Sequence, residues 1–555
     1  MTRFHPRRGL LSCAAVFVLL AGAALAADTP AGAAADETAR VEAGRMIYRE
    51  GRLPSGEPLR GRRPAGNEVS GRDAACVLCH QRSGLGLAEG AIPMPPVSGP
   101  ALFGSRTLPG HVARRAPGME FRDYPFRTRP PYDDESLARA IRDGVNPDGY
   151  AFQYLMPRYE LSDRDMQSLI AYLRTLSAQP SPGVDASVAH FATVVAPGMD
   201  PARRDAYLGV LKACFTERYP EPELDTSGMA GEGKRQVWRL HVWELEGAPE
   251  TWEWQLQAHY ARQPVFAMIS GLGREEWAPV ERFCESNGLP CLFPNVDLPG
   301  SAAGAWYSFY FFRGVALEAG VLASYLQEQR EVRVRRVVQL ARAGGSGARG
   351  AAALRDALAG SGIVVEDRAY PGSGKSRLLA GLGKGDALVL WLGPEDLVTL
   401  TQREPPRAGL LLVSGMLGGL ENAPLPPGWK KAAQMVYPFD PPGRWHLRMD
   451  RNLRPWLAQK GLPRADERMQ GNTLAACNIL TESMLRLRGR YVRDHLVEWV
   501  ENYPSAMGNA PAPQAFPRFS LGPGQRFSSK GAYMVRFASP DKKRLVPVQP
   551  DWIVP

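Results

Sequence analysis

The chain has 555 residues, with 67 lysines and arginines against 57 acids and a net charge of +10. At 44% hydrophobic and 22% charged it has the composition of a globular protein of two or three domains, not of a disordered or collagen-like chain. The excess positive charge is dispersed. No basic tract is long enough to engage nucleic acid, and Val332-Arg333-Val334-Arg335 reads as a strand with one basic face.

Residues 1–26 read as a secretory signal. Arg3, Arg7 and Arg8 form the positive start, residues 10–20 the apolar stretch, and Ala24-Leu25-Ala26 an A-x-A cleavage site. The apolar stretch is too short to span a bilayer, so no membrane span is expected after cleavage. The expected location is periplasmic. Cys13, one of the seven cysteines, leaves with the signal, and an oxidising compartment permits the others to pair.

Residues 37–50 have helical periodicity, with Ala39, Ala43, Met46 and Ile47 on one face. Gly44 and Tyr48, four apart, allow close approach of another helix. Cys76-Val77-Leu78-Cys79-His80 follows, a complete C-x-x-C-H sequence. Two thiols at this spacing can each add to one vinyl group of a porphyrin, and the adjacent histidine then reaches the iron. A zinc site would need a second ligand pair, and none follows. The expectation is one covalent haem c on Cys76 and Cys79, with His80 as iron ligand. Further on, a helix is predicted over 135–144. After Met156-Pro157, Ser162 caps another helix with Asp165 as its partner, and Leu169, Ile170, Leu173 and Leu176 form the apolar stripe.

Taken together, these pieces resemble a class I c-type cytochrome over residues 36–178. The matching segments are Gly44-x-x-x-Tyr48, the haem motif, Gly99-Pro100-Ala101-Leu102-Phe103-Gly104, Met156-Pro157 before Leu161-Ser162-Asp163, and Ala171-Tyr172-Leu173-Arg174. The resemblance implies an all-α domain whose first and last helices cross at the glycine. It implies that the Pro100 carbonyl accepts a hydrogen bond from His80 and that Met156 is the distal iron ligand, with Met94 and His111 as alternatives. It also implies a periplasmic redox partner, a dehydrogenase or another cytochrome. The Gly- and Arg-rich insert 51–73 is expected to shield one haem edge.

Residues 179–188, within a Pro-, Ser- and Gly-dominated stretch, are expected to form a linker. From 189 to 555 strands and helices alternate. Strands are expected over 190–195, 236–244, 265–270, 289–294, 332–340, 362–368, 387–392 and 410–414, with helices over 201–219, 275–287, 314–327 and 349–359. Such alternation calls for parallel sheets covered by helices, here in two lobes. The aromatic run 306–312 is read as strand and crossover packing. Pro371-Gly372-Ser373-Gly374-Lys375-Ser376 mimics a phosphate-binding loop, but the position that needs its first glycine is Ala369. Cys214, Cys284, Cys291 and Cys477 allow three pairings.

This region resembles the type I periplasmic solute-binding proteins of the branched-chain amino acid group of ABC transporters. The segments that carry the likeness are residues 265–270, Glu285-Ser286-Asn287-Gly288-Leu289-Pro290, Tyr310-Phe311-Phe312-Arg313-Gly314, and residues 519–526. A small carboxylate solute is expected at Ser270 and Gly271, where a strand end meets a helix start and backbone N–H groups lack internal partners. Ser346, in the turn Gly344-Gly345-Ser346-Gly347, is expected to close on it from the other lobe. No triad or paired carboxylates appear in recognisable context, so no enzyme is expected. The leading expectation is a periplasmic cytochrome that transfers single electrons, fused to a solute-binding-like module. The alternative is an ABC-transporter-type solute receptor or sensor with an accessory haem.

Overall fold

The computed structural model describes residues 30–86, 88–89, 92–104, 130–152, 155–185, 187–218, 237–274, 277–297, 299–300, 304–328, 333–372, 376–487, 489–507 and 514–555. The segment expected to be a secretory signal and His111 lie outside these residues. The chain divides into two compact units, Met1–Leu78 with Phe103–Thr175, and Cys79–Leu102 with Leu176–Pro555. The division falls inside the C-x-x-C-H sequence, within the short helix Val77–His80.

The first unit is not all helical. Its helices Pro30–Glu50 and Asp163–Thr175 pack across one another, and Gly44 stands at the crossing, where a Cβ would collide with the Ser168 carbonyl. Ile47 and Tyr48 are fully buried there, with the Tyr48 and Tyr172 rings 5.4 Å apart. Ser162 caps the second helix: Asp165 N–H donates to its Oγ at 3.2 Å. The insert 51–73 does not form a loose flap. Arg60–Arg62 and Glu68–Ser70 make an antiparallel hairpin, and Arg158–Glu160 pairs with its inner strand. This sheet corrects the all-α expectation. Its cause is local: Gly66, in the left-handed region (φ 93°), turns the hairpin, and Tyr159 donates through its hydroxyl to the Ala74 carbonyl.

In the second unit the alternating pattern folds as two α/β lobes. The first lobe has five parallel strands: Val188–Val195, Val237–Glu244, Ala267–Ile269, Cys291–Leu292 and Ser308–Phe309. The second has Arg336–Ala341, Val364–Ala369, Asp386–Trp391, Leu410–Val413 and Ala433–Tyr437, also parallel, and the antiparallel Tyr533–Phe537 and Leu545–Pro547 extend its edge. Numbered along the chain, the five parallel strands of each lobe lie in the same spatial order, 2-1-3-4-5. That doubly wound arrangement opens its crevices at the carboxyl ends of the strands. The central strand Asp386–Trp391 is buried on both faces, which is why it reads as an unbroken apolar run. The helix Glu467–Leu487 returns to the first lobe and packs on Pro201–Arg218.

The stretch expected as a linker lies along this second unit. Ser181 N–H donates to the Tyr491 carbonyl, and the buried Arg493 guanidinium donates to the carbonyls of Pro182, Val265 and Phe266. Cys284 and Cys291 are joined in a disulfide, while Cys214 and Cys477 are buried. Beyond Ala369 the chain enters the short 3-10 turn Ser376–Leu379, and residues 373–375 lie outside the described residues.

Candidate functional site

Between the two lobes lies a cavity of about 210 Å³. Its walls come from the carboxyl ends of the fourth and fifth strands of both lobes: Asn295 and Asp297, then Phe311 and Phe312, from one side, and Met416 and Phe439 from the other. The start of the helix Glu467–Leu487 closes it with Arg468 and Asn472, beside Phe516. The aromatic rings form one stack. Phe516 lies 4.8 Å from Phe312 and 4.9 Å from Phe439 between centroids.

Charge enters this apolar pocket in balanced form. Arg468 sits with its guanidinium carbon 4.6 Å from the Phe439 ring centroid and 5.5 Å from that of Trp445. Its Nη2 pairs with Glu421 at 3.0 Å and donates to the Tyr437 hydroxyl at 3.0 Å, while its buried Nε has no hydrogen-bond partner. Arg203 donates to Asp466 at 3.0 Å, and Asp466 in turn accepts from the N–H of Met469 in the first turn of the long helix. Asn295 is pinned from behind, its Nδ2 donating to Ser270 Oγ at 3.2 Å and to Thr473 Oγ1 at 3.0 Å. Met416 is held by its N–H, which donates to the buried Glu318 carboxyl at 2.9 Å. Burial pushes that carboxyl up to about 7, against hydrogen bonds from Ser414 and the backbone.

The residues expected to bind solute are spread differently. Ser270 is buried behind Asn295, one layer from the cavity, in the left-handed region at φ 53°. Gly271 backs onto the Trp277 ring, which a Cβ would meet at 2.7 Å. Ser346 lies in the first turn of the helix Gly345–Ala357 with its buried Oγ lacking a hydrogen-bond partner, and it is not among the residues lining the cavity. The pocket thus sits on the fourth and fifth strands, not on the third strand of one lobe and the first of the other. Phe311 and Phe312, read as packing, supply one wall. Arg468 carried no signal in isolation, because nothing local marks an arginine that Tyr437, Phe439 and Trp445, from an earlier stretch of the chain, will surround.

In the haem motif, His80 Nδ1 lies 2.9 Å from the Pro95 carbonyl. Nδ1 therefore carries the proton and Nε2 keeps its lone pair, the tautomer an iron ligand needs. Burial holds the imidazole pKa below its usual value. The acceptor expected was Pro100, and that expectation is corrected: Pro100 lies in the helix Gly99–Phe103, while the turn after the motif brings Pro95 back over the ring. Gly86 makes this return possible, since a Cβ there would strike the Met94 carbonyl. The donor set of Cys76, Cys79 and a neutral imidazole fits a covalent haem. Met156 is half-buried in the first unit, its carbonyl accepting from Arg158 at 3.0 Å.

No protein-family model matches this chain, and no curated protein matches it. Among solved structures it is similar to an ABC transporter substrate-binding protein from Desulfitobacterium hafniense, at 16% identity and TM-score 0.46, over 66% of this chain and 100% of the other. It is also similar to a branched-chain amino acid ABC transporter protein from Thermus thermophilus with bound valine, at 12% identity and TM-score 0.47, over 67% of this chain and 98% of the other. A substrate-binding protein from Aeropyrum pernix matches at 13% identity and TM-score 0.48, over 66% and 96%. At these identities and TM-scores the likeness carries no argument about what this chain binds. Among the described residues no helix is long and apolar enough to cross a membrane.

Proposed function

We propose that this chain is a periplasmic solute receptor, not an enzyme, and that it carries one covalent haem c. The observation that supports the receptor reading is the interlobe cavity with Arg468 set among aromatic rings. Its lining holds two arginines, Arg203 and Arg468, and two aspartates, Asp297 and Asp466. Such a wall suits a net-neutral solute with a carboxylate, an ammonium and an apolar body better than a dianion. The volume admits only a small molecule. Titration calorimetry of the full chain against small amino acids and carboxylates tests this. A one-to-one complex with a zwitterion is expected, weakened roughly 10- to 100-fold by Arg468→Ala. No binding across the panel, or binding indifferent to that substitution, overturns the reading.

For the haem, Cys76 and Cys79 would hold the porphyrin and His80 would present Nε2 to the iron, with the Pro95 carbonyl fixing its ring. The bound haem would supply one-electron chemistry to a periplasmic dehydrogenase or cytochrome, and Met156 is the proposed distal ligand. Haem that stays with the denatured chain, and is lost in Cys76→Ala with Cys79→Ala, is the expected result. Carbon monoxide should bind the reduced protein only after Met156→Ala. Wild-type protein that binds it already overturns the Met156 assignment.

A further inference from the structure

The residues that follow the haem motif are anchored in an unusual way for a surface turn. Ser83 is fully buried, and one carboxylate receives both of its donors. Ser83 N–H donates to Glu498 Oε1 at 2.8 Å, and its hydroxyl bonds Glu498 Oε2 at 2.6 Å. Glu498 lies on the helix Arg493–Met507 and is itself 3% exposed. Around this pair the same segment is clamped further. The Arg82 guanidinium carbon lies 4.5 Å from the Trp306 ring centroid, with its Nε 3.6 Å from Asp494. Ser177 Oγ donates to the Ser83 carbonyl at 2.6 Å, and Gly99 N–H to the Leu176 carbonyl at 2.8 Å. Neither the solute cavity nor the haem donors use Glu498.

We infer that Glu498 is a positioning residue that latches the segment carrying His80 onto the solute-binding module through Ser83, and that loss of its proton releases the latch. The inference rests on the haem reading only for its purpose, since the latch itself is made by this chain's own atoms. As a neutral acid, Glu498 accepts from both the Ser83 N–H and the Ser83 hydroxyl without placing a charge in the interior. Ionised, it leaves a charge buried beside two more carboxylates on its own helix, Asp494 and Glu501. Across from them, Arg526 is committed to Glu501 at 2.6 Å, Arg82 faces Asp494, and Trp306 and Tyr307 donate to Asp494. His495, its neighbour on the helix, is held to about 4 by burial and stays neutral. Burial pushes Glu498 up to about 8, with Asp494 and Glu501 adding to the rise and the Ser83 bonds opposing it. The latch is therefore closed at neutral pH and opens as pH rises through that value.

Trypsin reads this directly, because Arg82 immediately precedes Ser83. Cleavage of the Arg82–Ser83 bond in the full chain is followed by mass spectrometry and normalised to cleavage after the exposed Lys543. In wild type the ratio should rise by about tenfold between pH 7 and pH 9. Glu498→Gln, which keeps the shape and both hydrogen bonds without a titrating proton, should stay at the low value at both pH values. Glu498→Ala should be cleaved rapidly at both. A wild-type ratio that does not change with pH, or a Gln variant that tracks wild type, overturns the inference. The readout requires no haem, so a chain that proves haem-free would sink the cofactor proposal and leave the latch standing.

Discussion

The two compact units differ in where they place charge. In the first, ion pairs lie on the surface: Arg62 with Glu68 and Arg174 with Asp134 are exposed. Its cohesion comes from the apolar crossing at Gly44. The second unit has exposed pairs too, such as Arg282 with Glu253, but it also buries ionisable groups. Arg526 and Glu501 pair at 2.6 Å with side chains 3% and 2% exposed, and Glu318 and Glu498 are inside with hydrogen bonds but no ion pair among the described residues. Buried charge adds little net stability when satisfied, yet is costly once a partner is removed. The second unit should therefore be brittle toward single charge changes where the first is indifferent.

The largest effect should come from Glu501→Ala, which strands Arg526. It should lower the second unit's unfolding free energy by about 3–5 kcal/mol, measured by denaturant titration. As the matched control, Arg62→Ala should cost under about 1 kcal/mol. A pH series sharpens the contrast next. Glu318 and Glu498 keep protons in the folded state up to about 7 and about 8, whereas in the unfolded chain they release them near 4.5. The folded state binds more protons in that window, so stability should fall as pH rises from about 4.5 to about 8 and then level off. The double variant Glu318→Gln with Glu498→Gln should flatten the slope, and an unchanged slope would place the titration elsewhere. In the first unit, Gly44→Ala should cost roughly 1–3 kcal/mol by overpacking the helix crossing, leaving the second unit's transition where it was.

Periodicity made the doubly wound lobes legible, because their strands are short apolar runs bounded by turns. The last parallel strand Ala433–Tyr437 and the helix Glu467–Leu487 escaped, although both shape the cavity. Polar residues such as Asn472 and Thr473 are buried on that helix by bonds to distant segments, which blurs its apolar face. The insert 51–73 was given no secondary structure, because the three-residue strands of its hairpin give no alternation to count. For the site, a contiguous motif such as Cys76 to His80 is visible in one dimension. A cavity built from Asn295, Phe312, Phe439 and Arg468 is not, since no two of its walls are neighbours in sequence. Even the partner of His80 was displaced by five residues, from Pro100 to Pro95, because two prolines near a turn look alike until the chain returns.

The bridge between Cys284 and Cys291 has a consequence for how the chain is made. It ties the end of one helix to the next strand, and Met268 packs against both sulfurs. This pair needs an oxidant to mature. Cys76 and Cys79, on the haem reading, need the reverse: thioether bonds form only from thiols, so a disulfide between them must be prevented or reduced first. One polypeptide then asks the same compartment to oxidise two of its cysteines and to spare two others. Haem loading and loop closure would be competing events, and cells lacking a dedicated reductant at the site of export should accumulate the folded module without its pigment.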